Sequence, residues 1–180
     1  AHAIDLSVEG DDANRLSRRL NDIEYQMLYV QTPESSLELE LTVKNCQPVA
    51  LQPRQLSLMF GIDTRMLVYP EWRKRCYPTF LRCEKTHFWS HFMRPDGHGL
   101  LVCSPDPIAS WHHDFRETIW DDGNRWSSGS IETSHLDLLH PGPLPPRHPS
   151  DCTRIQPGET KVWRLRLKPT DPDHSLEDIT

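Results

Sequence analysis

Between Leu37 and Lys44 apolar and polar residues alternate without a break. Leu37, Leu39, Leu41 and Val43 point one way, and Glu38, Glu40, Thr42 and Lys44 the other. A period of two sustained over that stretch is the mark of a half-buried β-strand. The alternation returns from Lys161 to Lys168, where Trp163, Leu165 and Leu167 oppose Arg164, Arg166 and Lys168. The turn sequence Gln156-Pro157-Gly158-Glu159 leads into it. Leu56, Leu58 and Phe60 repeat the pattern, and Ile23, Tyr25, Met27 and Tyr29 mark an earlier strand rich in β-formers. Thr86 to Met93 and Leu100 to Cys103 flank Pro95-Asp96-Gly97, which predicts a hairpin.

Helical patterning is scarce. Asp11 to Leu20 fits one or two helical turns, with Asp11 or Asp12 as N-cap and Leu16 and Leu20 on one face. Arg15, Arg18 and Arg19 then form a solvated face. Ser104 to Ser130 and Pro141 to Ser150 read as long loops, the second stiffened by five prolines. Strand after strand with little helix predicts an all-β fold, a two-sheet antiparallel β-sandwich with at most one short helix near the N-terminus. The expected organisation is one domain over residues 1–168 and a linker-like or frayed tail over 169–180.

Composition narrows the function classes. A chain of 180 residues buries enough surface to fold without staples. Its net charge of -6 opposes general nucleic-acid binding, which needs a basic face for phosphates. No run approaches the roughly 20 apolar residues of a membrane-spanning helix. The five cysteines, Cys46, Cys76, Cys83, Cys103 and Cys152, include no Cys-x-x-Cys pair. Free, mostly buried thiols are expected, with Cys46 and Cys103 at strand ends.

Three constellations are candidates for chemistry. Trp72, Trp89, Trp111, Trp120 and Trp126 lie in a tryptophan-rich stretch beside charged residues. An indole face accepts the apolar face of a pyranose, while Asp, Glu, Arg and Asn take hydroxyls; the plainer role for each indole is to anchor core or loop. Histidine and carboxylate gather at His87 and His91, and at His112, His113 and Asp114. Such a set suits zinc or iron, though no established ligand spacing is present. His112 and His113 point opposite ways if extended. Glu84, Asp106, Asp114, Glu117, Asp121 and Asp122 supply carboxylates for glycoside hydrolysis, or act only as solvated and loop-capping acids. There is no Gly-x-Ser-x-Gly elbow and no phosphate loop.

Several phrases taken together resemble a known family. They are Leu39-Glu40-Leu41-Thr42-Val43-Lys44-Asn45, Phe60-Gly61-Ile62-Asp63-Thr64-Arg65-Met66, Pro78 to Trp89, Ser104 to Trp111, and Gln156-Pro157-Gly158-Glu159-Thr160. The set resembles the N-terminal, supersandwich-like β-sandwich domain of bacterial polysaccharide-degrading (α/α)6-type glycoside hydrolases. The resemblance spans most of residues 35–168 and implies an excised or isolated module beside a helical toroid that holds the catalytic acids. It carries no catalytic residue onto this chain, and it implies a periplasmic or cell-surface setting.

The first expectation is therefore a non-catalytic β-sandwich module of a carbohydrate-active protein, supporting a neighbouring (α/α)6 catalytic domain and touching a polysaccharide or oligosaccharide. Trp72, Trp111 and Trp126 are its candidate contact aromatics. Arg65 and Arg73 are its partners for hydroxyls or for the carboxylates of acidic sugars. No cofactor is expected. Two alternatives stand beside it. One is a self-contained hydrolase, metal-assisted through His87, His91, His112, His113 and Asp114. The other is a purely structural or protein-interaction domain.

Overall fold

The computed structural model describes residues 4, 6–9, 12–33, 35–65, 77–79, 87–93, 96–116, 130–144, 148 and 151–173. Among them lie eleven strands: β1 (Ser7–Glu9), β2 (Asp12–Leu20), β3 (Ile23–Gln31), β4 (Leu37–Asn45), β5 (Leu56–Arg65), β6 (Tyr77–Thr79), β7 (Trp89–Met93), β8 (Gly99–Cys103), β9 (Ser110–Arg116), β10 (Ser130–Leu139) and β11 (Thr160–Thr170). They form an eight-stranded sheet in the order β1-β2-β3-β4-β11-β8-β7-β6 and a three-stranded sheet in the order β5-β10-β9. Every pairing is antiparallel. The fold is an all-β sandwich, with no helix among the described residues.

The alternating strands pair so that their apolar rows meet. Trp163 sits opposite Leu41, Leu165 opposite Leu39, and Tyr25 opposite Val43. This row is the inner face of the large sheet, and Leu58, Phe60, Leu136 and Trp111 face it from the small one. Phe88, 1% exposed, joins the two layers: its ring meets Phe60 edge-on at 5.8 Å and Trp111 at 5.6 Å. On the outer face the charges that alternated with the leucines pair across strands. Arg166 lies 2.7 Å from Glu38, and Arg164 lies 3.4 Å from Glu40.

Two sequence expectations change. Asp12 to Leu20 is strand β2, not a helix. The Leu16 and Leu20 spacing suits a helix, but Asn21 and Asp22 both take left-handed φ (50° and 56°) and turn the chain back on itself. That two-residue turn matches the twist of antiparallel strands and commits β2 to pair with β3, Leu20 opposite Ile23. The Ser104 to Ser130 segment is not simply a loop, since it contains β9 and the first residue of β10. The β7–β8 hairpin forms as its turn sequence predicts. In the Gln156 to Glu159 turn, Glu159 N–H donates to the Gln156 carbonyl at 3.0 Å, and Gly158 supplies the φ of 75°. Cys46, Cys103 and Cys152 are free thiols, and Cys76 and Cys83 lie outside the described residues.

Strand β11 continues through Pro169 to Thr170, which is 4% exposed. The Thr170 hydroxyl lies 2.8 Å from His91 Nε2. Gly99 fits beneath this pair, because a Cβ there would sit 2.7 Å from the same nitrogen. Burial pushes the His91 imidazole below its ordinary pKa of 6.5. The unfolded chain therefore binds more protons than the folded one just below pH 6.5, and stability falls as pH drops through that window. His91→Gln should flatten this part of a stability-against-pH curve measured by urea unfolding. An unchanged slope would mean that His91 contributes nothing to it.

Candidate functional site on the three-stranded sheet

Strand β9 carries His112 and Asp114, and strand β10 carries His135 and Asp137. Residues two apart in a strand share a face, so each His-x-Asp pair projects as a unit. The register places His135 directly opposite His112. Because the strands run antiparallel, each aspartate becomes the diagonal neighbour of the other strand's histidine. The two imidazoles stack with centroids 4.4 Å apart and planes 9° from parallel. Asp114 Oδ2 lies 2.7 Å from His135 Nε2, and Asp137 Oδ2 lies 3.2 Å from His112 Nδ1.

The two acids differ in environment. Asp137 is 5% exposed. Its Oδ1 accepts hydrogen bonds from Ser57 Oγ and Gln55 Nε2, both at 2.6 Å. These donors come from β5 and the residue before it, so the third strand of the sheet fixes the carboxylate. Asp114 stands at the open side, with 59% of its side chain exposed. One donor atom from each of His112, Asp114 and His135 lies within 4.8 Å of the other two.

The remaining sequence candidates scatter. His113 faces the core, as its alternation with His112 requires. Its Nδ1 lies 2.9 Å from Ser134 Oγ, and its ring packs against Trp111 and Phe88. His91 is held by Thr170 in the large sheet, and His87 sits at the bend before β7. The structure therefore does not bring His87, His91 and His113 to His112 and Asp114. His135, which the sequence reading missed, takes their place.

Trp111 is partly buried against the core cluster. Trp72, Trp126 and Arg73 lie outside the described residues, as do Glu84, Glu117, Asp121 and Asp122. Arg65 ends β5, and its side chain is likewise outside them. Asp106 has a structural task. Its Oδ2 accepts the Arg164 backbone N–H at 2.8 Å, at a point on β11 that β8 does not reach. The Ser104 hydroxyl donates to the Asp106 carbonyl at 2.8 Å and stiffens the same loop. That explains the Ser104-Pro105-Asp106-Pro107 stretch.

A groove of about 440 Å³ lies over β2, β3 and β4 and includes Arg19, Glu24, Gln26, Thr42 and Lys44. Its cations are largely neutralised. Arg19 lies 3.0 Å from Asp22 and 3.5 Å from Glu24, and Lys44 lies 3.7 Å from Glu24. Exposed pairs of this kind hold little net attraction for an anion.

No family model matches the chain, and no curated protein matches it. Among solved structures it is similar to one titled "Polysaccharide Lyase BACCELL_00875", with a TM-score of 0.65 and 14% sequence identity. The match covers 94% of this chain and 23% of that one. At that identity the likeness is one of fold: the sandwich described here is similar to about a quarter of a polysaccharide lyase.

Proposed function

We propose that this chain is a non-catalytic β-sandwich module of a carbohydrate-active protein, seated beside a catalytic domain and contributing loops to glycan contact. The observation that carries the reading is the fold match over 94% of the chain to part of a polysaccharide lyase. The sequence resemblance to sandwich modules of polysaccharide-degrading proteins supports it independently. Trp72 and Trp126 are the proposed stacking aromatics, and Arg65 and Arg73 the proposed partners for acidic sugars, because a guanidinium grips a carboxylate in two places. Trp111, the third candidate aromatic, packs partly buried against the core cluster.

Affinity electrophoresis through gels containing neutral or acidic polysaccharides tests this reading. At least one acidic polysaccharide should retard the chain, and Arg73→Ala and Trp126→Ala should each restore most of its mobility. Normal migration across the whole panel would count against glycan contact and leave a structural module. A second reading, a metal-assisted hydrolase, draws on the His112, Asp114 and His135 cluster. It predicts cleavage by the chain alone.

A further inference from the structure

The geometry points to a divalent-metal site on the outer face of the small sheet, with His112, Asp114 and His135 as ligands, Asp137 as the positioning residue, and zinc as the ion. Two imidazole nitrogens and one carboxylate oxygen form a borderline donor set suited to Zn²⁺, and three protein ligands leave one tetrahedral position open. The donor atoms already lie within 4.8 Å of one another. Ligands on one zinc at bond lengths of about 2.0–2.1 Å stand about 3.3 Å apart. Asp114 Oδ2 and His135 Nε2, now 2.7 Å apart and hydrogen-bonded, need to separate only slightly to share an ion, and the two imidazoles, now stacked 9° from parallel, must turn out of the stack so that both in-plane lone pairs meet at it.

Asp137 gives the cluster the construction of a metal site. A metal-bound histidine characteristically donates its other ring N–H to a carboxylate, which fixes the tautomer and raises ligand basicity. Asp137 Oδ2 stands 3.2 Å from His112 Nδ1, and so holds the proton there and leaves the Nε2 lone pair for a metal. The carboxylate is itself buried and locked by Ser57 and Gln55. Asp114, mostly exposed, lies on the solvent side by which an ion enters. Register, not loop conformation, sets the spacing, since all four residues lie on two hydrogen-bonded strands. The open fourth position would take water or an anionic oxygen from outside the sheet.

The test uses the chain without a polyhistidine tag, stripped with EDTA and dialysed. Zinc is titrated in competition with a chromophoric chelator, and Co²⁺ is added separately to read coordination by visible absorption. One zinc per chain should bind with micromolar or tighter affinity, and Co²⁺ should give the intense bands of a tetrahedral site. Asp114→Ala, an exposed change with little cost to folding, should abolish stoichiometric binding, as should His135→Ala. Asp137→Asn should weaken zinc by about 10–100-fold. His98→Ala, a change at an exposed histidine on another hairpin, should leave the affinity unchanged. Millimolar binding by the parent chain, or equal affinity in Asp114→Ala, would overturn the site. The glycan reading can stand or fall without affecting this result.

Discussion

Phe88→Ala is expected to destabilise the fold by about 3–5 kcal/mol, the usual loss for a buried phenylalanine truncated to alanine. Phe88 belongs to no apolar alternation of its own; it precedes β7 and fills the space between the layers. Its ring meets Phe60 of β5, Trp111 of β9 and His113 of β9 at centroid distances of 5.8, 5.6 and 6.0 Å. Truncation would remove one partner from three aromatic contacts and open a cavity where the small sheet docks on the large one. Because Phe60 and Trp111 are themselves anchored on paired strands, the gap has little freedom to collapse. Urea unfolding should show a midpoint well below that of the parent chain with an unchanged slope. A loss under about 1 kcal/mol would mean that the layers are not held together at this point.

Asn45 is expected to show the second large effect. It is fully buried at the end of β4, and its side chain makes three hydrogen bonds. Nδ2 donates to the Val49 carbonyl at 2.8 Å and to the Ile155 carbonyl at 3.0 Å, while Oδ1 accepts the Gln47 N–H at 3.0 Å. Its backbone N–H donates to the Glu159 carbonyl at 3.0 Å, and its carbonyl accepts the Gly158 N–H at 2.8 Å. The side-chain amide thus ties the end of β4 to the 46–50 turn and to the Leu51–Ile155 bridge, and the backbone of the same residue ties it to the turn before β11. Asn45→Leu keeps the volume and takes their side-chain partner from the Val49 carbonyl and the Gln47 N–H, while the Ile155 carbonyl keeps the Leu51 N–H. A buried unsatisfied group costs about 1–3 kcal/mol, so a total of about 3 kcal/mol is expected. Asn45→Asp should be worse at neutral pH, because a carboxylate would face two carbonyl oxygens, and should recover in part on acidification. Thermal scans of both variants check this. A leucine variant as stable as the parent would show that water satisfies these groups instead.

The strands that the sequence reveals are those whose two faces differ in hydropathy. β4 and β11 alternate leucine, valine or tryptophan with charge or threonine, while β3 and the start of β5 set an apolar row against a more mixed one, and the rows of β4 and β11 turn inward and outward as expected. β9 has no such contrast. Its inward residues, Trp111 and His113, alternate with His112 and Asp114, so both faces look polar or aromatic. β10 hides for another reason. Its register shifts between Asp137 and Leu139, which lets the consecutive Leu138 and Leu139 both be buried and breaks the period. With those two strands concealed, His135 could not be matched to His112. One signal was present: the His-x-Asp spacing occurs twice, at 112–114 and 135–137. Equal spacing on two antiparallel strands brings each acid to the other's histidine once the registers align. The Leu16 and Leu20 spacing of β2 satisfies a helix as well as a strand, and the Asn21-Asp22 turn decides between them.

The most direct measurement for the proposed role reads retention and cleavage together. The purified chain, with and without one equivalent of zinc, is incubated with the polysaccharide panel. The bound fraction is followed by co-sedimentation, and new chain ends by size-exclusion profile and reducing-end assay. A glycan-contacting accessory module predicts saturable retention on at least one polysaccharide and no shortening of any chain, in either metal state. Shortening by the wild-type chain that is lost in the Asp114→Ala variant would contradict the non-catalytic reading and place the reaction on the small sheet.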